Sequence, residues 1–173
     1  KWVYFAAGYI HKKHEILNID KPYNDNAVLF TNANFDKIQE VNAMLSLSPH
    51  WGFWEPVYSV SVSKQYLDSK ALKVKEELEK PIFLFKLNNS FSLPQDWTLG
   101  IDYSCNTDGH SGTAMLKHSN SLDLHVEKFF FKKRLLFSLQ INDLLKKSYN
   151  SFIYYGSLMS MNIRNYSDSR NFQ

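Results

Sequence analysis

Apolar and polar residues alternate along most of this chain. Val41, Ala43, Leu45 and Leu47 are interleaved with Asn42, Met44, Ser46 and Ser48, and Tyr58, Val60 and Val62 with Ser59, Ser61 and Ser63. The same period runs through Phe83–Phe91, Trp97–Tyr103, Leu122–Glu127 and Leu135–Asn142. Six segments with one apolar and one mostly polar face predict antiparallel β-sheet, because side chains alternate across a strand with a period of two. Trp2 to His11, apolar in both phases, and Ser151 to Asn162, rich in Tyr, Ser and Met, predict two further strands. Ser69 to Lys80 reads either as a short helix or as a solvated charged loop.

The connections fall into two classes. Pro49 to Pro56, Leu93 to Asp96 and Phe131 to Arg134 are tight and flanked by aromatics. Lys12 to Asn26, Asp68 to Pro81, Cys105 to Lys117 and the stretch after Asp143 are longer and polar. The classes alternate, which predicts an up-and-down meander of about eight to nine strands with short turns at one end and long loops at the other. Transmembrane β-barrels have this asymmetry.

Alternation alone leaves two destinations for the apolar face, a second sheet in a soluble sandwich or lipid around a barrel. The aromatics beside the short turns (Trp51, Phe53, Trp54, Tyr58, Phe91, Trp97, Phe129, Phe130, Phe131) suit an interfacial girdle. The opposite face carries Lys86, Asp102, Asp123, His125, Glu127 and Gln140, which suits a watery lumen. A strand running from Leu29 to Leu47 would also exceed ordinary globular lengths. A soluble or surface-attached β-sandwich, binding a partner or carbohydrate through its long loops, is the alternative.

Composition narrows the choice of function. A chain of 173 residues fits one domain, and 16% aromatic content argues against disorder. A net charge of +3 does not point to nucleic acid. The single Cys105 excludes an internal disulfide or a multi-cysteine metal site. No apolar run reaches the length of a membrane-spanning helix. The opening Lys1-Trp2-Val3 has neither Met nor a signal peptide, so a processed chain or an excised piece is expected.

The order of motifs resembles the C-terminal barrel part of TonB-dependent outer-membrane receptors, closest to the outer-membrane-protein β-barrel family related to SusC-like transporters. Thr31-Asn32-Ala33-Asn34-Phe35 followed by Val41–Leu47 is similar to that family's Asn-containing strand, and Trp51-Gly52-Phe53-Trp54 to its aromatic periplasmic turn. Leu93-Pro94-Gln95-Asp96-Trp97-Thr98-Leu99 resembles its turn into the next upward strand. Leu122–Asp143 resembles the module near the barrel's end, and Asp168-Ser169-Arg170 the extracellular lead into the last strand. The resemblance implies a single domain over residues 1–173, a segment of a transmembrane barrel with the plug domain and the final strand lying outside it. It also implies nutrient uptake across the Gram-negative outer membrane. The implied partners are outer-membrane lipid, the remaining strands and plug of the same receptor, and a surface lipoprotein. Such transporter barrels have about 22 strands, so other segments are expected to complete this one.

No catalytic constellation is readable, and neither enzymatic activity nor a cofactor is expected. His11 and His14 read as a solvated pair, since a metal site needs more converging ligands. Asp108-Gly109-His110-Ser111-Gly112 reads as turn chemistry. Asp123, His125 and Glu127 share one strand face, where a polar lumen wall is favoured over a proton or cation site. Leu99, Ile101, Leu122, Leu124, Val126, Phe137, Leu139, Phe83 and Phe85 are expected on the opposite face.

Overall fold

A computed structural model describes residues 2–24, 27–67, 76–147, 150–155 and 160–165. They form eleven strands: β1 (Val3–Asn24), β2 (Ala27–Leu47), β3 (Trp54–Leu67), β4 (Ile82–Leu93), β5 (Trp97–Asn106), β6 (Gly109–Ser111), β7 (Ala114–Leu116), β8 (Ser119–Phe130), β9 (Leu135–Ile141), β10 (Asn150–Tyr155) and β11 (Ser160–Asn165). The protein is all-β. Seven strands make an antiparallel meander in the order β1-β2-β3-β4-β5-β8-β9, and β11-β10-β7-β6 form a second, smaller sheet.

The tight connections are those the sequence predicts. The β2–β3 turn closes on paired backbone bonds between Trp51 and Trp54 (2.9 and 3.2 Å), with Gly52 at φ 65. The β4–β5 turn passes through Gln95 and Asp96 at positive φ, and the β8–β9 turn through Phe131, Lys132 and Lys133. All three lie at one end of the sheet.

The other end differs from expectation in three places. Lys12 to Asn24 is not a loop: β1 runs on to Asn24, paired with β2 as far as Asn24↔Ala27. Ser151 to Asn162 is not one strand but the hairpin β10–β11, and β10 pairs β7 rather than the main sheet. Cys105 to Lys117 completes β5 and then folds as the β6–β7 hairpin. Of the segment 69–80, only Glu76–Glu79 form a short 3-10 turn, and residues 68–75 lie outside the described residues. Asp168-Ser169-Arg170 also lies outside them.

The first hairpin inverts its own pattern. Below His14, which has φ 54, the odd-numbered residues of β1 share a face with Val41, Ala43, Leu45 and Leu47. Above it, Leu17 and Ile19 face the opposite way and join Ala33, Phe35, Ile38, Leu67 and Leu78 in the one hydrophobic cluster of the described residues. A left-handed residue in a strand rotates everything after it, so alternation restarts in the other phase. Lys12 and Glu15, three apart, consequently point the same way and pair at 3.3 Å.

Candidate functional site

Cross-strand register sorts the main sheet into two faces, because directly paired residues project on the same side. One face carries Tyr58, Val60 and Val62 of β3, then Phe83, Phe85 and Leu87 of β4. It continues through Leu99, Ile101 and Tyr103 of β5, Leu122, Leu124 and Val126 of β8, and Phe137, Leu139 and Ile141 of β9. Nothing covers it. Phe5 is 67% exposed, Val60 43%, Phe85 38% and Phe137 50%. A continuous uncovered apolar face of this extent is not stable in water, where monomers rarely expose patches larger than a few hundred Å².

Aromatics border that face at the turn end. Trp51 and Trp54 pack with ring centroids 4.7 Å apart, and Trp54 stacks on Phe91 at 5.9 Å. The Trp54 indole N–H donates to Asn89 Oδ1 at 3.1 Å. Lys128, on the same face beside Trp97, bends its ammonium to the Gln95 carbonyl and over the Trp97 and Phe130 rings. Drawing the charge off an apolar face toward its rim is the behaviour of a membrane-boundary lysine.

The other face is polar and internally bonded. Lys86, Asp102, Asp123, His125, Glu127 and Gln140 all lie on it. Asp102 accepts from Asn88 Nδ2 at 2.9 Å and has His125 Nδ1 at 3.7 Å from its second oxygen. Asp123 accepts from Ser121 Oγ at 2.9 Å and from the Asp143 backbone N–H at 2.7 Å. Gln140 faces His125 across the β8–β9 pair and donates to Asn142 at 2.9 Å. Gly100 is the position that admits the His125 ring: a Cβ there would lie 1.6 Å from His125 Cε1.

At the loop end a cavity of about 170 Å³ opens on the polar face, lined in part by Lys12, Glu15, Glu40, Ser63, Gln65 and His110. Its roof is tied down by Gln65, a residue the sequence offers no reason to single out from its polar row. The buried amide donates to the carbonyls of Leu78 and Gly112, both at 2.8 Å, and accepts from the Gly112 N–H at 2.7 Å. One side chain thus fastens both the 3-10 turn and the β6–β7 hairpin, and Gly112 at φ 60 supplies the left-handed corner of that hairpin.

Asp108 anchors the base of the same hairpin. It receives the His118 backbone N–H at 2.5 Å and the His118 ring at 3.1 Å, with Lys117 Nζ at 3.8 Å. Burial pushes its carboxyl up. The His118 bonds and the Lys117 charge outweigh burial and hold it below the usual carboxylate range. Of the stretch Asp108 to Gly112, read as a turn, only Asp108 and Gly112 lie at corners, whereas Gly109–Ser111 form the strand β6. His11 sits on β1 within reach of the Tyr9 hydroxyl (3.3 Å), and His14 is the residue at which the face inverts. Cys105 stands opposite Phe85 on the apolar face. Among the described residues no three His, Cys, Asp or Glu side chains converge as a metal site.

A meandering antiparallel sheet, apolar and aromatic-bordered outside, polar and hydrogen-bonded inside, with short turns at one end, defines the wall of a membrane-spanning β-barrel. The comparison with family models agrees. The outer membrane protein beta-barrel family matches residues 1–173, and the chain belongs to that family. No curated protein and no solved structure matches it. The protein is accordingly an outer-membrane protein of a Gram-negative bacterium, and its surroundings are membrane lipid.

Proposed function

We propose that this chain is part of the barrel of a TonB-dependent receptor that takes up a nutrient across the outer membrane, with the polar face toward the lumen. The observation that carries the reading is the division of the sheet. Rows of exposed Phe, Leu and Val occupy one side, and Asn88, Asp102, Asp123, His125 and Gln140 occupy the other. Lys86, Asp102, Asp123, His125, Glu127 and Gln140 then contribute a hydrated wall along which a polar solute passes. Asp102, Asp123 and Gln140 are each engaged by neighbouring side chains or backbone, which suits a transport surface better than catalysis. The loop-end cavity and the hairpin roofing it would meet the solute first.

Among the described residues β1 pairs only β2, and β9 only β8. An open edge in hydrocarbon leaves unpaired backbone groups at several kcal/mol each, so both edges call for further strands of the same receptor. A plug, and a surface lipoprotein over the loops, complete the proposed assembly. In a bacterium carrying the protein, deleting it and deleting the TonB energy-transducing complex should abolish growth on the same scarce nutrient. Growth lost in the first strain but retained in the second would contradict TonB-dependent uptake.

A further inference from the structure

The β8–β9 turn joins two features that the uptake reading does not use. Phe131, its first residue, is 75% exposed, more than any other large hydrophobic side chain among the described residues. Lys132, Lys133 and Arg134 follow it directly, all exposed, and none has an ion-pair partner among the described residues. The turn is narrow: the Arg134 N–H bonds to the Phe130 carbonyl at 3.1 Å, and Phe131, Lys132 and Lys133 hold φ of 52, 54 and 69. Three successive left-handed residues are costly for L side chains. Here they fan an aromatic ring and three cations outward from the end of the sheet.

Lys128 adds a fourth cation beside them, its ammonium over Trp97 and Phe130. The acids nearby are few. Asp96 lies on the adjoining turn, where its carbonyl accepts the Phe129 N–H at 3.2 Å, and Glu127 lies on the opposite, polar face. Phe130 and Leu135, paired across the mouth of the turn, belong to the apolar face and are 40% and 53% exposed. Cations therefore stand where apolar surface ends and water begins, which is the level of lipid headgroups.

We propose that the β8–β9 turn binds the anionic phospholipid headgroups of the leaflet at the turn end of the barrel. Phe131 and Phe130 enter the acyl boundary, and Lys132, Lys133 and Arg134 take the phosphates. An aromatic ring favours that boundary, and each basic residue near an anionic surface contributes roughly a fivefold preference, multiplying across three. The inference rests on outer-membrane residence and leaves the uptake reading untouched: either can fail without the other.

The test uses the protein purified from its own outer membrane in mild detergent, with retained phospholipids counted by native mass spectrometry. Phosphatidylglycerol should be retained over phosphatidylethanolamine by at least about tenfold. The K132Q/K133Q/R134Q variant should lose most of that preference, while K12Q/K13Q at the loop end should keep it. A salt titration of the unmutated protein gives the same answer without a variant, because headgroup attraction weakens as ionic strength rises. Equal retention of the two lipids, a preference indifferent to salt, or a preference surviving the triple variant would overturn the proposal. So would inorganic phosphate displacing the lipid at millimolar concentration, which would mark a free-phosphate site.

Discussion

At Gly100 one hydrogen atom in place of a methyl group decides where an imidazole ring can lie. The His125 ring covers the glycine's Cα, and this position brings its Nδ1 to Asp102. Gly100→Ala should push the ring away and destabilise the folded protein by about 1–3 kcal/mol, as overpacking commonly does. Reversible unfolding in lipid vesicles measures this. In a His125→Ala background the same substitution should be close to neutral, so the two mutations should be strongly non-additive. Additive costs would show that the ring and the glycine do not share the space. Asp108 carries a pH dependence of definite sign. Its folded-state pKa lies below the ordinary 3.8, so its contribution is fully present above that value and is lost as pH falls through the folded one. The His118 amide should therefore stay protected from hydrogen exchange through the ordinary carboxylate range and lose protection only as pH falls below it, a step that Asp108→Asn should remove. The acid–histidine pairs were within reach of the sequence only as polar residues of one phase. That His125 lies over Gly100 depends on the β5–β8 register, and that Gln65 holds two loops depends on a fold-back from 47 residues away. Neither leaves a local signal.

Strands were legible where their environment is uniform along their length. β3, β4, β5, β8 and β9 each keep one phase, and their spans agree with the alternation to within a few residues. β1 was legible only up to His11. Beyond it Lys12-Lys13-His14-Glu15 is polar in both phases, and Leu17 and Ile19 return in the inverted one. The reason is a change of solvent. In the lower part of the hairpin apolar side chains turn outward, and in the upper part Phe35, Ile19 and Leu17 turn inward onto Leu67 and Leu78 as they would in a water-soluble protein, leaving Ile16 and Phe30 outside. β6 and β7, three residues each, are too short to show any period. The lipid-facing row makes a firm demand of β8. Leu124, between Ile101 and Ile141, should not tolerate Arg, at a cost of about 2–4 kcal/mol near the bilayer midplane. Unfolding titrations in vesicles would measure that cost, and Ser121→Arg on the polar face should lose far less. A neutral Leu124→Arg would contradict the placement of this strand in the bilayer.

The whole molecule follows from one asymmetry. Tight aromatic turns close the sheet at one end. At the other, the extended β1–β2 hairpin, the 3-10 turn and the smaller sheet build a water-facing cap over the polar side, fastened by Gln65 and Asp108. Among the described residues the small buried core lies under that cap and the membrane-level strands form no second one, which is the reverse of a soluble sandwich. The most direct test of this arrangement is site-directed labelling of single cysteines in intact outer membranes, on a Cys105→Ser background. Cysteines at Ser104, Ser121 and Ser138 should react with a water-soluble maleimide. Cysteines at Phe85, Leu124 and Leu139 should resist it and, when spin-labelled, should relax readily with oxygen dissolved in the lipid. Equal reactivity on the two faces, or maleimide labelling of the Phe85, Leu124 and Leu139 positions in preference to the serines, would contradict it.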